Sequence, residues 1–224
     1  MDILNGKIAI VTGASRSRGI GSAICLMLAE AGADIFFTHW SNFDKNEGIG
    51  AEEDYPNILC NKIKDLGVRC HHMEADLSDP ETPTNILNCT KKTLGTASVL
   101  INNATYHKSV DFRTMNVEVL DRHYQINNSG TIAYIASKGM LIAITEPLSA
   151  GLAPIGITVN LIDPGPTDSG WMDKEIRESL SQFFPTGRVG QPEDAARLIR
   201  FLASDESEWI TGQVIKSEGG YAGR

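Results

Sequence analysis

The chain has 224 residues, of which 42% are hydrophobic and 21% are charged. This composition is typical of a globular protein and excludes the disordered, collagen-like and coiled-coil classes. Asp and Glu outnumber Lys and Arg by 28 to 20, which gives a formal net charge of −8. An acidic chain without a run of Lys or Arg is a poor candidate for binding nucleic acid or an anionic membrane, so we expect neither as a partner.

The apolar and cysteine patterns predict a cytoplasmic protein. No apolar run reaches the ~18–20 residues of a membrane span, and the N-terminal residues lack the basic and apolar regions of a secretory signal. The four cysteines form no CxxC pair, so we expect reduced, mostly buried thiols; they are Cys25, Cys60, Cys70 and Cys89. His71 and His72 follow Cys70 in a predicted strand, whose adjacent side chains point to opposite faces, so we expect no metal site.

Strands and helices alternate in the first hundred residues. Short apolar runs predict strands at residues 7–11 (KIAIV), 34–40 (DIFFTHW), 68–74 and 98–103 (SVLINN). Helical spacing predicts helices at residues 20–32, 56–67 and 83–94. Residues 41–55 are polar and predict a loop insertion. The fold class is therefore α/β, a Rossmann-like, doubly wound parallel sheet with helices on both faces.

The alternation breaks after Asn103. Two helices follow, at residues 115–127 and from about 137, the second bent or broken near Pro147. No convincing strand separates them, although residues 131–136 (TIAYIA) have some strand character. The pattern then resumes with a strand at 157–162, a loop at 163–171, a helix at 192–202 and a strand at 213–217. We find no linker or repeat and predict a single domain over residues 1–224.

Three glycines lie between the first strand and the first helix: Gly13, Gly19 and Gly21. Glycine is needed where the backbone turns sharply or approaches a pyrophosphate closely. The N-terminus of the following helix favours an anion. In this strand–loop–helix context the triplet predicts dinucleotide binding, and an ordinary glycine-rich turn is the alternative.

The end of the second strand predicts which dinucleotide binds. An NAD site places a carboxylate ~20 residues past the glycines, on the ribose 2′-hydroxyl. Residues 38–41 (THWS) contain no acid, whereas Arg16 and Arg18 lie in the glycine loop. Because the planar guanidinium suits a 2′-phosphate, we predict NADP(H) as the cofactor. The alternative is that both arginines point to solvent.

In combination, the motifs resemble the short-chain dehydrogenase/reductase family, and most closely its 3-oxoacyl-(acyl-carrier-protein) reductase-like branch. Residues 12–21 (TGASRSRGIG) are similar to the TGxxxGxG loop with two extra residues, Ser17 and Arg18 in one interpretation. Further matches are Asp76, Asn102-Asn103-Ala104, Tyr134 and Lys138 as YxxxK, Asn160, Pro164-Gly165-Pro166-Thr167, Arg188, Gly212 and Glu218-Gly219-Gly220.

The resemblance implies a cofactor site and a homo-oligomer, either a tetramer or a dimer. It implies a small carbonyl or alcohol substrate, with acyl thioesters among the candidates. The cofactor-binding residues would be Gly13, Ser15, Arg16, Arg18, Gly19, Ile20, Gly21, Trp40, Ser41, Asp76, Leu77, Asn103, Ala104, Tyr134, Lys138, Pro164, Gly165 and Thr167.

Tyr134 and Lys138 suit carbonyl chemistry, in which the substrate oxygen needs a proton after hydride transfer. On a helix their i, i+4 spacing places them on one face. A cation about 4 Å away, in an effective dielectric of about 20, contributes about 4 kcal/mol, enough to lower the ordinary tyrosine pKa of about 10 by at most three units. The alternative is a packing tyrosine beside a snorkelling lysine. The resemblance further implies that Lys138 binds ribose and that Asn127 holds a water in the proton relay.

One family feature is missing: the fifth strand and its serine, about a dozen residues before the tyrosine. The NxxGT match ends at Thr131 and the YxxxK match begins at Tyr134, with no room for them between. Either the sequence omits a segment near residues 131–134, or a real deletion has removed a central strand. An intact mass near 24.3 kDa would exclude the first explanation.

Three functional hypotheses follow. The first is an NADPH-dependent carbonyl reductase, with 3-oxoacyl thioesters among its candidate substrates. The second is a catalytically impaired nucleotide-binding or scaffold protein, because the family serine is missing. The third is an unrelated P-loop or FMN-type protein, disfavoured because no GxxxxGK[ST] motif occurs. An apolar lid at residues 167–184 would enclose a hydrophobic substrate or contact another subunit.

Overall fold

A computed structural model describes residues 3–46, 52–105 and 131–223, without the side chains of residues 46 and 131–137. Within these ranges the strands are β1 (Ile8–Val11), β2 (Asp34–His39), β3 (Cys70–Glu74), β4 (Val99–Ile101), β5 (Leu161–Asp163) and β6 (Val214–Lys216). The helices are α1 (Ile20–Glu30), α2 (Ser41–Asn46), α3 (Tyr55–Asp65), α4 (Thr82–Thr93), α5 (Thr131–Leu152), α6 (Lys174–Ser181) and α7 (Pro192–Ala203), with 3-10 turns at Ala153–Ile155 and Asp205–Ser207.

The first four strands form one parallel sheet in the order β3-β2-β1-β4. In its centre Ile10 of β1 is in register with Phe36 of β2 and with Leu100 of β4. The alternation of strands and helices predicted this arrangement, because parallel neighbours need a crossover helix between them. The parallel α/β fold is therefore confirmed.

Helices cover both faces of the four-stranded sheet, whose strand β1 (IAIV) is apolar at every position. Ala9, Val11 and Phe37 point to the face that packs against α1, α3 and α7. Ile10 and Phe36 point to the opposite face and pack against α4. All four residues of β1 are buried, as a strand covered on both sides requires.

The remaining strands, β5 and β6, form a separate two-stranded parallel sheet. Among the described residues, no strand pairs with the outer edge of β4 or of β5. Leu100 of β4 is 59% exposed, and no residue of β5 is fully buried. In the described part of the chain, the strands of the predicted doubly wound sheet thus form two sheets, and the fifth strand that the sequence predicts to be missing would belong between them.

Some element predictions differ from the structure. The expected loop at residues 41–55 begins instead with the short helix α2, so that prediction was wrong. Helix α5 runs without a break through residues 131–136 and past Pro147 to Leu152, so no strand forms there and the helix is not broken. The predicted helix at residues 115–127 lies outside the described residues.

All four cysteines are free thiols, three of them buried and Cys89 partly so, which agrees with the prediction of reduced thiols. Burial raises the pKa of the Cys25 and Cys70 thiols far above the usual range, so both stay protonated. No helix in the described part of the chain is long and apolar enough to span a bilayer. The described residues also contain no group of three or more His, Cys, Asp or Glu arranged for a metal ion.

Candidate active site

The glycine loop that follows β1 turns sharply against the end of β4. Gly13 has φ +75°, and a Cβ atom there would lie 2.7 Å from the Cα atom of Ala104. At Gly21 a Cβ atom would collide with the Gly13 carbonyl oxygen and would lie 2.7 Å from Nδ2 of Asn103. Both positions therefore require glycine, one for the turn and one for close packing of helix α1 on the sheet.

Thr12 and Asn103 hold this loop in place through four hydrogen bonds. Nδ2 of Asn103 donates to the carbonyl oxygens of Thr12, at 2.8 Å, and of Gly13, at 3.0 Å. The hydroxyl of Thr12 accepts the backbone N–H groups of Asn103 and Ala104, each at 3.0 Å. The structure thus brings the predicted residues Gly13, Asn103 and Ala104 together, with the side chain of Asn103 acting as a brace.

Helix α1 begins at Ile20, with Gly19 at its N-cap, and points its N-terminus at the turn. No side chain among the described residues caps this end. The Ser22 hydroxyl, on the first turn of α1, donates to the carbonyl oxygen of Arg16 at 2.7 Å and so joins the helix to the glycine loop. Free N–H groups at a helix start, next to glycine-rich backbone, fit the pyrophosphate of a dinucleotide. The residues present therefore fit this cofactor.

An acid that the sequence prediction missed lies close to the end of β2, on the following helix α2. The backbone N–H of Trp40 donates to Oγ of Ser15 at 3.3 Å, so the glycine loop meets the strand end. Asp44, on α2, lies with Oδ1 3.8 Å from Nε of Arg16, and its carboxylate also accepts a hydrogen bond from Ser15. The prediction considered only residues 38–41 for an acid, whereas α2 brings Asp44 back to the loop.

Asp44 is buried, at 5% exposure. Burial raises its pKa, which Arg16 and Ser15 oppose. Its second oxygen, Oδ2, has no hydrogen-bond partner among the described residues. A buried carboxylate with a free acceptor atom needs a partner, so this position suits a hydroxyl donor from a ligand.

The two loop arginines diverge. Arg16 remains at the end of β2, and its side chain is 22% exposed. Arg18 reaches the other way and places Nη2 3.0 Å from Oδ2 of Asp168, in the loop after β5. Between them, Ser17 donates its hydroxyl to Glu52 at 2.9 Å. Of the two arginines predicted to face a 2′-phosphate, only Arg16 lies at the strand end.

Asp76 and Leu77, which the resemblance places among the cofactor-binding residues, follow the end of β3. The carboxylate of Asp76 accepts the backbone N–H of Ser78 at 2.9 Å and its hydroxyl at 2.7 Å. Leu77 packs against the apolar face of the sheet that includes Ile10. Beside them the N–H of Ser41 donates to Glu74 at 3.2 Å. The polar groups of this edge are therefore held by local hydrogen bonds.

Tyr134 and Lys138 both belong to helix α5, which places their backbones one turn apart on the same face. Lys138 is partly buried, and burial lowers the pKa of its ammonium group. The side chain of Tyr134 lies outside the described part of the structure, as does the whole of Asn127. The catalytic trio stays a prediction.

The loop after β5, residues 164–171, forms a compact turn. Gly165 has φ +58° and donates its N–H to Oδ1 of Asp163 at 3.0 Å. The Thr167 hydroxyl donates to the carbonyl oxygen of Pro164 at 3.2 Å, and Thr167 is 6% exposed. The indole N–H of Trp171 donates to the carbonyl oxygen of Thr167 at 2.9 Å. The loop is thus ordered by its own contacts.

The predicted lid at residues 167–184 contains helix α6. Met172 and Phe184, which lie in the lid on either side of this helix, pack with Val189 in a small apolar cluster. Trp171 and Phe183 remain exposed, at 52% and 43%. Only part of the apolar surface of the lid is therefore available to a substrate or a subunit.

Two other motif residues are structural. Asn160 joins β5 to the chain before β6, because its Nδ2 donates to the carbonyl oxygen of Ile210 at 2.8 Å and its Oδ1 accepts the N–H of Gln213 at 3.1 Å. Arg188 forms two hydrogen bonds to Asp194, at 2.6 and 3.0 Å, at the start of α7. Both residues connect elements of the C-terminal region.

Two family models match the chain and together span most of it. The model described as short chain dehydrogenase matches residues 7–133, more than half of the chain. The model described as enoyl-(acyl carrier protein) reductase matches residues 128–222. The matches meet at residues 128–133, which include the place where the sequence predicts a missing segment.

Curated relatives and solved structures cover the chain almost completely. The chain is 43% identical to the uncharacterized oxidoreductase YjdA of Bacillus subtilis (strain 168), over 96% of each chain. It is 32% identical to the 3-oxoacyl-(acyl-carrier-protein) reductase FabG of Rickettsia conorii, over 97% of each. A blue fluorescent protein from a metagenomic library, solved in complex with NADPH, is 29% identical with a TM-score of 0.85, over 98% of this chain and 99% of that one.

The alignment with the Bacillus relative spans 251 positions, against 224 residues in this chain, so at least 27 positions of the relative face a gap. The Rickettsia alignment spans 243 positions. Relatives thus carry internal residues that this chain lacks. With its glycine loop braced on a parallel sheet and its match to the family model, the chain belongs to the short-chain dehydrogenase family of oxidoreductases, whose members use NAD(H) or NADP(H).

Proposed function

We propose that the protein is an NADP(H)-dependent oxidoreductase that interconverts a carbonyl group and a secondary alcohol. The observation that carries the proposal is the glycine loop, where Gly13 and Gly21 leave no room for a side chain. This close packing brings the N-terminus of α1 to the edge of the sheet, as a pyrophosphate site requires. Family membership and the Tyr134–Lys138 spacing on α5 support the second part of the proposal, the interconversion of a carbonyl and an alcohol.

In this proposal the bound nicotinamide supplies or accepts the hydride at the substrate carbon. The residues of the chain manage the proton. Tyr134 donates it to the carbonyl oxygen as general acid, and accepts it in the reverse direction. The Lys138 ammonium, one turn along, stabilises the tyrosinate and binds the nicotinamide ribose. Asn127 holds the water that returns a proton from solvent.

The preference for NADP(H) rests on Arg16. Its guanidinium lies where the glycine loop meets the end of β2, the place of the adenosine ribose in a dinucleotide fold. The solved relative in complex with NADPH supports the same choice. Asp44 opposes it, because a carboxylate beside Arg16 repels a 2′-phosphate and accepts a 2′-hydroxyl. We therefore expect a moderate preference for NADPH rather than exclusion of NADH.

The substrate is a small carbonyl compound or alcohol, and 3-oxoacyl thioesters are the first candidates. The Rickettsia relative, a 3-oxoacyl-(acyl-carrier-protein) reductase, supports this class. The exposed aromatic rings of Trp171 and Phe183 on the lid provide apolar surface for an acyl chain.

We also propose a cytoplasmic homo-oligomer, a tetramer or a dimer. Helix α5 exposes Met140, Ile144 and Leu148, at 40%, 42% and 45%. Their spacing of four residues places them on one face, which suits packing against a second copy. Size-exclusion chromatography with light scattering measures the oligomeric state, and a monomer would contradict the proposed homo-oligomer.

A catalytically impaired nucleotide-binding protein is the second candidate function. The divided sheet favours it, because the family's fifth strand would lie between β4 and β5 and would carry the substrate-binding serine. Losing one such donor costs ~3–4 kcal/mol of transition-state stabilisation. In this case the glycine loop still binds the dinucleotide, but turnover is lost.

Fluorescence titration with NADPH and NADH, followed by a panel of ketones, aldehydes and 3-oxoacyl thioesters, tests the proposal. We expect tighter binding of NADPH and oxidation of NADPH with at least one carbonyl. Asp44→Asn is expected to widen the preference for NADPH about fivefold. Tighter NADH binding by the unaltered protein would contradict the cofactor choice, and binding without any turnover would favour the second candidate.

A further inference from the structure

Asp168 is a buried carboxylate that binds two arginines from different parts of the chain. Its side chain is only 4% exposed. Oδ2 accepts hydrogen bonds from Nη2 of Arg18 at 3.0 Å and from Nε of Arg177 at 3.0 Å, and Nη2 of Arg177 lies 2.9 Å from it as an ion pair. The other oxygen, Oδ1, accepts the N–H of Gly170 at 3.2 Å. Both oxygens are therefore satisfied, as a buried carboxylate requires.

The two arginines have different origins. Arg177 lies on α6, within the same lid as Asp168, so that pair stabilises the lid internally. Arg18 lies in the glycine loop, 150 residues earlier, in the part of the loop that is longer than the family motif. The Arg18–Asp168 pair therefore joins the cofactor loop to the loop that follows β5.

The pair lies next to groups that the proposed cofactor site uses. Arg18 directly precedes Gly19, the N-cap of α1 where the pyrophosphate is expected. Asp168 directly follows Thr167, the end of the loop expected over the nicotinamide. Among the described residues the lid also contacts the body at Thr167 and Gly190, through the N–H of Ala222, which donates to the carbonyl oxygen of Phe183 at 2.9 Å, and through the apolar cluster around Phe184.

We propose that Arg18 and Asp168 are positioning residues that clasp the lid to the glycine loop and slow the release of the bound dinucleotide. The inference rests on the proposed cofactor site. A dinucleotide lying between the two loops leaves only when they separate, and separation breaks a charge-assisted hydrogen bond to a buried carboxylate. The clasp holds the substrate side of the site over the cofactor side during turnover.

Arg18→Ala is the variant that opens the clasp without unfolding the lid, because Arg177 still binds Asp168. NADPH release is measured by stopped-flow fluorescence after mixing with excess NADP. We expect release about tenfold faster than from the unaltered protein. Arg69→Ala is the matched control: Arg69 is 58% exposed and pairs with Asp34 at 2.6 Å, far from the lid, whereas Arg18 is 59% exposed. The control is expected to release NADPH at the original rate.

Asp168→Asn separates the clasp from direct phosphate binding by Arg18. In a clasp, removing the carboxylate charge speeds release as Arg18→Ala does, and by the same factor for NADPH and NADH. If Arg18 instead binds the cofactor phosphates, freeing it from Asp168 slows release, and that result overturns the clasp. Unchanged release from Arg18→Ala, with normal binding by the unaltered protein, overturns the clasp alone. Failure of the unaltered protein to bind either dinucleotide overturns the proposed function as well.

Discussion

The four-stranded sheet and the two-stranded sheet differ in how completely they are enclosed. In the first, β1 is wholly buried and β2 has four buried residues in a row, because helices cover both faces. In the second, no residue of β5 or β6 is fully buried. A parallel strand is fully enclosed when it has a neighbour on each side and a helix above and below, and in the described part of the chain β1 and β2 have both neighbours.

The sequence predicts a cause for this difference, because the family's fifth strand has no counterpart near residues 131–134. One family model ends at residue 133 and the other begins at residue 128, and at least 27 positions of the Bacillus relative face a gap. A strand between β4 and β5 would join the two sheets and cover the exposed side chain of Leu100. The N-terminal region contains the complete glycine loop, whereas β5 and β6 have no further strand beside them among the described residues.

The largest effect is expected from a substitution in the glycine loop, which follows β1 of the four-stranded sheet, and it is a loss of dinucleotide affinity. A methyl group at Gly21 would collide with the carbonyl oxygen of Gly13 and with Asn103, so Gly21→Ala displaces the start of α1. We expect dinucleotide affinity to fall at least 100-fold, about 2.7 kcal/mol. Gly151→Ala, in α5, where a Cβ meets nothing within 4 Å, is the control. Equal affinities of the two variants in a fluorescence titration would contradict this role of Gly21.

A matched pair of core substitutions compares the two sheets directly. Ile10 of β1 is 1% exposed, whereas Ile162 of β5 is only partly buried. Ile10→Ala is expected to lower the free energy of unfolding by about 3–4 kcal/mol, and Ile162→Ala by about 1 kcal/mol. Urea denaturation measures both. A larger loss at Ile162 would show that β5 packs as tightly as β1.

The smallest expected effect is a pH dependence of the folding stability, which arises from two histidines of the four-stranded sheet. His39 on β2 and His72 on β3 share a hydrogen bond of 3.1 Å between ring nitrogens. Burial lowers the pKa of both below the ordinary value. The unfolded chain therefore binds more protons than the folded one below about pH 6.5, and stability falls as pH is lowered through this range.

Replacing His72 with Gln is expected to remove part of this acid loss, on the order of 1 kcal/mol between pH 7.5 and 5.5. Urea midpoints at the two pH values measure it. His71→Gln, at the exposed neighbour on the other face of β3, serves as the control. An acid loss in His72→Gln as large as in the unaltered protein would assign the pH dependence to other groups.

Much of the fold was predictable from local sequence, because each element of the first hundred residues has its own apolar period and its own turn residues. The glycine loop was predictable for the same reason. That a strand of the family fold is missing near residues 131–134 stays a prediction, based on the alternation and the family motifs, which fail at the same residues. In the described part of the chain the strands form two separate sheets, which is the arrangement that the loss of such a strand would produce.

The polar details of the site were not predictable. Asp44 lies in a polar stretch that predicts a loop, and only the turn into α2 brings it to Arg16. Arg18 and Asp168 are 150 residues apart, and their pairing depends on the direction of both side chains. Such contacts depend on tertiary geometry, for which a single sequence contains no periodic pattern.

The most direct test of the proposed chemistry is Tyr134→Phe, measured for both NADPH binding and NADPH-dependent carbonyl reduction. The substitution removes the proton donor and retains the ring, so we expect turnover to fall at least 1,000-fold, about 4 kcal/mol, while NADPH affinity stays within threefold. Retained turnover in this variant would show that another group delivers the proton and would contradict the role of Tyr134.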